Sequence, residues 1–200
     1  GKAAFVSGGS RGIGAAIVRR FAADGASVAF TYRHSVNAAE SLAKEVQDEF
    51  DVQVIALQAD ASDRKQATQA VSQAAEQLGR LDIVVNNAGV FLTSALLQST
   101  DEGFDQTVAI NITAVYAATR EAARHLPNGG RIINIGSVLG ERAQGAAMGV
   151  YNMSKFAVQG LSRSWAHDLA PQGITVNVVQ PGPIDTDMNP ADSEYAEQFT

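Results

Sequence analysis

The sequence predicts an α/β fold in which one parallel sheet lies between two layers of helices. Short runs that are apolar at nearly every position alternate with longer segments whose apolar residues recur at helical spacing. Such runs are typical of strands in a parallel sheet, because crossover helices bury both of its faces. The chain has 200 residues, of which 46% are apolar, and this is enough for one domain with a sizeable core.

Six strands and five helical regions follow from this alternation. The strands are predicted in the runs KAAFVSG, SVAFTY, VQVIALQ, LDIVVNN, RIINIGS and ITVNVVQ. Helices are predicted in IGAAIVRRFAADG and at residues 37–50, 63–78, 104–126 (one long or bent region) and 150–169. Gly25 ends the first helix, and Ser62 or Asp63 is the N-cap of the third. Since crossovers are right-handed and connections short, we expect a doubly wound, Rossmann-type sheet in a single domain.

Composition excludes several classes of function. The chain has no cysteine, so thiolate metal sites are not available, and its three histidines lack metal-ligand spacing. The net charge of −6 argues against nucleic acid as a partner. No apolar run is long enough to span a membrane. We therefore expect a cytoplasmic protein without a metal site and with neither nucleic acid nor membrane as a partner.

The first predicted strand runs into the glycine-rich segment SGGSRGIG at residues 7–14. Glycine tolerates backbone angles and close approaches that a Cβ forbids, and the helix that follows offers free N–H groups at its N-terminus. The pattern therefore predicts a pyrophosphate-binding loop. Its cofactor-binding residues are Gly8, Ser10, Arg11, Gly12, Ile13 and Gly14.

The end of the second predicted strand indicates which dinucleotide binds. Folds that prefer NAD carry an acidic residue here, which hydrogen-bonds the ribose 2′-hydroxyl. This chain reads TYRHS instead and has no acid between Asp24 and Glu40. Arg33, with Arg11 of the glycine loop, suits a 2′-phosphate, and we expect no carboxylate nearby to repel it. We therefore predict NADP(H) as the cofactor. The cofactor-binding residues predicted in this segment are Tyr32, Arg33 and Ser35.

A tyrosine and a lysine stand four residues apart in the run GVYNMSKFA at 149–157. On a helix, positions i and i+4 share one face, so Lys155 can lie beside Tyr151. An unperturbed tyrosine has a pKa of about 10, and a nearby ammonium group lowers that pKa by favouring the phenolate. The two residues are therefore a candidate proton donor and its electrostatic partner.

Six motifs together resemble those of the short-chain dehydrogenase/reductase family, and in particular its 3-oxoacyl-[acyl-carrier-protein] reductase-like members. In the family's order, they are SGGSRGIG, NNAG at 86–89, Asn111 in AINITA, Ser137 in INIGS, the pair in YNMSK, and PGPIDT at 181–186. The resemblance covers essentially the whole chain. It implies an oxidoreductase that reduces a ketone to a secondary alcohol, or the reverse, by hydride transfer. It also implies that residues 1–200 form one dinucleotide-binding domain that lacks its C-terminal strand and helix.

The resemblance further implies roles for single residues. Tyr151 is expected to act as acid or base, and Lys155 to support it and bind the nicotinamide ribose. Ser137 is expected to donate to the substrate oxygen, and Asn111 to hold a water that links Lys155 to solvent. The other cofactor residues implied are Asp60 and Ala61 beside the adenine, then Asn87, Ala88, Gly89, Pro181, Gly182, Ile184 and Thr186.

The loop between Ser137 and Tyr151 departs from the family's pattern. The interval of 14 residues is one longer than usual, and the neighbours Gly136 and Val138 leave Ser137 as the only hydroxyl at this strand end. The apolar, glycine-rich loop suits a substrate wall of adjustable shape. The predicted substrate-binding residues are Ser137, Leu139, Gln144 and Tyr151, with further walls from Phe91, Leu92 and the segment after Pro183.

Charge bears on the choice of substrate. A reductase of carrier-bound 3-oxoacyl groups should carry basic residues at the mouth of its site, because carrier proteins are acidic. In the segments LPNGGR and APQGIT we find Asn128 and Gln172 instead, and residues 182–200 hold five acids and no base. We therefore expect a free ketone or secondary alcohol as the small-molecule substrate. A carrier-protein reductase is the alternative, and a non-catalytic NADP-binding regulator is a more remote one.

An expectation about assembly also comes from the resemblance, because family members usually form tetramers through the helices after the fourth and fifth strands. The corresponding segments here are AVYAATREAA and FAVQGLSRSWAHDLA. They are rich in small residues, which allow helices to pack closely. We expect a homotetramer.

Overall fold

The computed structural model describes residues 1–143 and 145–192, and its centre is a six-stranded sheet. The strands are β1 (Ala3–Val6), β2 (Ser27–Tyr32), β3 (Val54–Gln58), β4 (Ile83–Asn86), β5 (Arg131–Ile135) and β6 (Thr175–Val179). They lie in the order β3-β2-β1-β4-β5-β6, and every neighbouring pair is parallel. Phe5 of β1, for example, pairs with Ala29 of β2 and Val84 of β4. The predicted doubly wound parallel sheet is confirmed.

Helices cover both faces of this sheet. They are α1 (Gly12–Ala23), α2 (Val36–Phe50), α3 (Arg64–Leu78), α4 (Asp101–Val108), α5 (Ala114–Ala122) and α6 (Gly149–Leu169). A π-helical turn (Ala109–Thr113) joins α4 to α5, and short 3₁₀ turns lie at Leu96–Gln98, Val138–Gly140 and Ala170–Gln172. Because side chains alternate along a strand, Phe5 belongs to the core under α3 and α5, while the adjacent Val6 belongs to the core under α1 and α2.

Caps explain where two of the helices begin. Asp63, one of the two predicted candidates, is the N-cap of α3, and its carboxylate accepts from the backbone N–H groups of Lys65 and Gln66. The predicted helical region 104–126 starts earlier, because the Thr100 hydroxyl accepts from Gly103 N at 3.1 Å and opens a helix at Asp101. This region, predicted as one long or bent helix, consists of α4 and α5 joined by the π-helical turn.

No helix within the described part of the chain is long and apolar enough to cross a membrane. The same residues contain no cluster of three or more histidine, aspartate or glutamate side chains that could hold a metal ion.

A buried carboxylate fastens the sheet at the amino ends of its strands. Asp82 is 2% exposed and accepts from Ala3 N at 2.9 Å, from Arg80 at 2.7 Å and from Lys2 Nζ at 3.1 Å. Burial by itself raises the pKa of Asp82, but the bonds from Arg80, Ala3 N–H and Lys2 outweigh it and hold this pKa at about 2. Because the folded pKa lies below the ordinary value, Asp82 stabilises the fold at neutral pH and loses this effect in acid.

Replacement of this carboxylate should therefore cost stability in a pH-dependent way. We expect Asp82→Asn to lower the free energy of unfolding by about 2 kcal/mol at neutral pH, since charged hydrogen bonds to a buried group are lost. The difference should shrink as the pH falls from about 4 towards 2. Denaturant titrations at several pH values measure it, with Asp105→Asn on the exposed side of α4 as the control. A difference that does not depend on pH would contradict this account of Asp82.

Candidate active site

The predicted site residues gather at one edge of the sheet, because the carboxyl ends of parallel strands meet there. The glycine loop follows β1, Arg33 follows β2, and Asp60 follows β3. NNAG begins at the end of β4, while Ser137 and Pro181 come after β5 and β6. The cleft lies where the winding reverses, between β1 and β4, and this is where open α/β sheets bind ligands.

The glycine loop forms a cradle that a side chain would fill. A Cβ at Gly14 would lie 2.1 Å from Gly8 O and 2.6 Å from Asn87 Nδ2. Gly8 itself has φ +67°, which favours glycine, and its N–H donates to Thr31 Oγ1 at 2.9 Å. Asn87 Nδ2 donates to Gly8 O at 2.9 Å, so the strand end after β4 fixes the shape of the loop.

The N-terminus of α1 faces this cradle and suits an anion. Its N-cap, Arg11, makes no capping hydrogen bond with its side chain, and the first turn holds no acidic residue. Free N–H groups and the helix dipole therefore favour a phosphate here. The turn at 184–189 lies across the same loop, because a Cβ on Gly12 would be 3.4 Å from Thr186 Cγ2. The residues present thus fit a dinucleotide pyrophosphate.

The two arginines assigned to the 2′-phosphate are not free of carboxylates, and that part of the prediction is wrong. Arg33 Nε lies 2.9 Å from Asp60 Oδ2, and Arg11 Nη1 lies 3.8 Å from Asp187 Oδ2. Both carboxylates are distant in sequence, and the end of β3 and the turn after β6 bring them close. Burial alone raises the pKa of Asp60, but bonds from Ser62 and the charge of Arg33 outweigh it and lower this pKa. Arg33 is thereby held at the edge of the cleft.

The remaining cofactor candidates line the same cleft. Ser7 Oγ accepts from the N–H groups of Asn87 and Ala88, both at 3.0 Å. Ala61 and Ala88 border one small cavity together with Ser7 and Thr31. Ser7 and Thr31 lie within the segments SGGSRGIG and TYRHS but were not predicted as site residues. Their roles depend on hydrogen bonds between the ends of β1, β2 and β4, which the sequence does not show. Of the other predicted positions, Ile13 lies in the first turn of α1, and the rest belong to loops or strand ends at this edge: Ser10, Tyr32, Ser35, Gly89, Pro181, Gly182 and Ile184.

Three predicted catalytic residues come together beside the cradle. Lys155 lies one turn after Tyr151 on α6, is 7% exposed, and holds its Nζ 5.6 Å from the centre of the Tyr151 ring. This Nζ donates to Ile135 O at 2.9 Å. Ser137 lies at the end of β5, close enough to the Tyr151 side chain to lower its pKa, and its Oγ accepts from Leu139 N at 3.1 Å. A Cβ on Gly89 would be only 3.8 Å from Lys155 Nζ, so this cluster adjoins the cofactor cleft.

The pKa of Tyr151 shifts in the direction opposite to the one predicted from its spacing to Lys155. Burial raises the pKa of Tyr151, and hydrogen bonding to Ser137 only partly opposes this, so the phenol form is favoured. Burial also lowers the pKa of Lys155 to about 8. The physical reason is burial: Phe91 packs on Tyr151, the end of β5 and the turn at Gly140 cover Lys155, and desolvation penalises both charged forms.

Asn111 connects the loop after β4 to the catalytic helix. It lies in the π-helical turn, is 2% exposed, and exchanges hydrogen bonds with both backbone groups of Val90 at 2.9 and 3.0 Å. Its Nδ2 also donates to Ser154 Oγ at 3.1 Å, and Ser154 donates to Tyr151 O at 2.7 Å. The side chain of Asn111 therefore braces the start of α6; its expected role in holding a water stays a prediction. Ser154, inside YNMSK, is a supporting residue that sequence reasoning missed.

The residues predicted to form the substrate walls differ in their exposure and in their distance from Tyr151. Phe91 meets the Tyr151 ring edge to face, with centroids 4.7 Å apart. Leu92 is partly exposed, whereas Leu139 is buried. Gln144 lies outside the described residues. The backbone bond from Ser94 N to Ala147 O, at 2.7 Å, joins the loop after β4 to the loop before α6. These two loops border the open side of Tyr151, but the walls themselves stay a prediction.

Comparisons with known proteins agree with this geometry. The short chain dehydrogenase family model matches residues 2–196. A cyclic-di-GMP-binding biofilm dispersal mediator protein of Escherichia coli (strain K12) is 50% identical over 199 residues, which cover 100% of this chain and 80% of the relative.

Solved structures extend this similarity. A blue fluorescent protein from a metagenomic library, in complex with NADPH, has a TM-score of 0.97 and 52% identity over 100% of this chain and 81% of its own. A short chain dehydrogenase from Burkholderia cenocepacia J2315, in complex with NADP, has a TM-score of 0.96 and 48% identity over 98% of this chain and 80% of its own. Because the family model matches nearly the whole length of this chain, the chain belongs to the short-chain dehydrogenase/reductase family.

Proposed function

We propose that this NADP-dependent oxidoreductase reduces a ketone to a secondary alcohol, or catalyses the reverse reaction, with Tyr151 as the acid or base. The observation that carries the proposal is that the NNAG segment joins two features: Asn87 holds the glycine cradle shaped for a dinucleotide, and Gly89 adjoins Lys155 in the cluster with Tyr151 and Ser137. The cradle would bind the dinucleotide, and the cluster would transfer a proton to or from the substrate oxygen. Ketone reduction requires both functions side by side.

NADP(H) is the cofactor, and the complexes of the metagenomic and Burkholderia relatives with NADPH and NADP support this. The glycine loop and the N-terminus of α1 would hold its pyrophosphate, and Arg33 with Arg11 its 2′-phosphate. When bound, the reduced nicotinamide supplies the hydride. Arg33 and Arg11 are each paired with one carboxylate, Asp60 and Asp187, but both guanidinium side chains remain substantially exposed and so available to a phosphate.

The protonation states support Tyr151 as the acid. Because burial raises its pKa, the phenol carries its proton at neutral pH and can give it to a developing alkoxide. Ser137 donates to the same oxygen and stabilises its charge. Lys155, held by Ile135 O, remains close enough to favour the tyrosinate after the proton has left.

A small free carbonyl compound is the substrate we propose, although the two segments in which basic residues were sought do not border the site. The segments LPNGGR and APQGIT meet through the bond from Gly129 N to Gln172 O, at the amino ends of β5 and β6. They therefore lie across the sheet from the site, and the neutral residues Asn128 and Gln172 at their turns say nothing about the charge at its mouth. Asp185 and Asp187 are exposed close to the glycine loop, and their carboxylates disfavour an acidic carrier protein.

An assay of NADPH oxidation against small ketones and a 3-oxoacyl thioester on its carrier tests this function. We expect turnover of free ketones with NADPH, slower turnover with NADH, and little with the carrier-bound thioester. Arg33→Ala should reduce the preference for NADPH by about tenfold, since one charged contact to the 2′-phosphate is lost. Turnover of the carrier-bound substrate alone would instead favour the carrier-protein reductase.

The same preparation tests the regulator alternative and the assembly. Cyclic di-GMP is added as a competitor, because the Escherichia coli relative is named for binding it. Displacement of NADPH without turnover of any carbonyl would favour the regulator.

Light scattering tests the assembly and should give the mass of a homotetramer. The helix α5 is largely buried within the protomer, but α4 and α6 expose the apolar side chains of Phe104, Met153 and Phe156, which are available to a second copy. The cytoplasmic location stays a prediction.

A further inference from the structure

A buried glutamine on the catalytic helix bonds to two segments that border the site. Gln159 lies one turn after Lys155 on α6 and is 8% exposed. Its Nε2 donates to Gly140 O at 2.9 Å and to Gln180 Oε1 at 2.5 Å, and its Oε1 accepts from Arg163 at 3.2 Å. Both amide hydrogens and the carbonyl are thus used, so the orientation of the side chain is fixed.

The first partner, Gly140, closes the turn that begins at Ser137. Gly140 N donates to Ser137 O at 2.8 Å, and Leu139 N donates to Ser137 Oγ at 3.1 Å. The rotamer of Ser137 therefore depends on the position of residues 138–140. This turn lies tightly on α6, because a Cβ on Gly140 would be 2.9 Å from the carbonyl carbon of Lys155.

The second partner, Gln180, precedes Pro181 at the end of β6. Pro181 O accepts from Val138 N at 3.0 Å, so the same turn is also joined to the segment expected to hold the nicotinamide. Gln159 thereby closes a ring of contacts among three pieces of chain: α6 with Tyr151 and Lys155, the turn that orients Ser137, and the segment after β6.

We propose that Gln159 is a positioning residue, whose amide holds the 138–140 turn and the end of β6 against α6 and so fixes Ser137 relative to Tyr151. The proposal rests on the proposed function in its catalytic consequence, but the contact itself can be tested separately. An apolar side chain at this position would leave Gly140 O and Gln180 Oε1 without their donor. The turn would then keep its bond to Pro181 but be held to α6 only by packing, and Ser137 would sample several positions relative to Tyr151.

Two variants and one control test this role. Gln159→Leu should lower kcat by about tenfold to a hundredfold, since a displacement near 1 Å has effects of this size. The dissociation constant for NADPH should change by less than about twofold, because no cofactor contact is removed. Gln159→Glu has nearly the same shape but no amide hydrogens, so it should not restore kcat. Ser162→Ala on the same helix removes a buried bond to Asn134 and should lower Tm without changing kcat.

Hydrogen exchange supplies a readout that does not need a substrate. In Gln159→Leu, the amides of Leu139 and Gly140 should exchange faster than in the wild type, while in Ser162→Ala they should not. If Gln159→Leu does not fold, Gln180→Ala removes one acceptor at a partly exposed position and should show a smaller change in the same direction. Wild-type exchange at these amides, or a wild-type kcat in the Leu variant, would overturn the proposal. Failure of the wild type to reduce any carbonyl would count against the proposed function, whereas the exchange result would still decide on Gln159.

Discussion

Tyr151→Phe should lower kcat for ketone reduction by about a thousandfold, as removal of a general acid typically does. The Phe ring keeps its edge-to-face contact with Phe91 and the packing on α6, so only the hydroxyl is lost. NADPH affinity should therefore stay close to the wild-type value, and the loss should appear in kcat rather than in cofactor binding. Steady-state kinetics and a fluorescence titration of NADPH measure the two quantities.

Tyr116→Phe is the matched control for this variant. Tyr116 lies on α5. The centre of its ring is 6.5 Å from that of Trp165, and the Arg64 guanidinium lies over the ring, so its ring contacts are with residues outside the cleft. Loss of its hydroxyl should leave kcat essentially unchanged.

The rate of the wild-type enzyme should fall as the pH rises through about 8, because Lys155 then loses its proton and no longer supports Tyr151. A Tyr151→Phe enzyme that retained more than a few per cent of activity would point to another acid, and Tyr151 would then be only a wall of the site.

Gly14→Ala should abolish tight binding of NADPH, with an increase in its dissociation constant of at least about a hundredfold. The new Cβ would meet Gly8 O at 2.1 Å, and a backbone oxygen held by Asn87 cannot move aside without opening the loop. The free energy of unfolding should fall as well, by about 1–3 kcal/mol, the usual effect of overpacking. Isothermal titration of NADPH and thermal denaturation check both effects.

Gly103→Ala tests whether any glycine in a helix would behave in this way. A Cβ there would be 3.4 Å from Thr100 Oγ1, an ordinary contact, and the position lies in the first turn of α4. NADPH affinity should not change, and stability should rise by up to about 1 kcal/mol, because alanine favours a helix over glycine. If Gly14→Ala bound NADPH as tightly as the wild type, the cradle would not be the pyrophosphate site.

Much of the site could be predicted because its chemistry depends on short spacings. The glycine spacing after β1, the i to i+4 relation of Tyr151 and Lys155, and a lone serine after β5 are local patterns. A parallel sheet brings all carboxyl strand ends to one edge, so the alternation of strands and helices also predicts that these patterns converge. The sequence by itself therefore determined the fold class and the family, and it named Tyr151 and Lys155 as a candidate pair whose roles stay predictions.

Only the tertiary structure decided which charges and amides meet. Asp60 lies 27 residues after Arg33, yet it binds Arg33 because β3 lies beside β2. The turns that were expected to face a carrier protein prove to be at the far end of the sheet, since they precede β5 and β6 rather than follow them. Burial raises the pKa of Tyr151, where the spacing of the pair alone indicated a lower one. Spacing along the chain specifies neighbours on one helix, but desolvation and contacts between distant segments arise only when the helix is packed against its sheet.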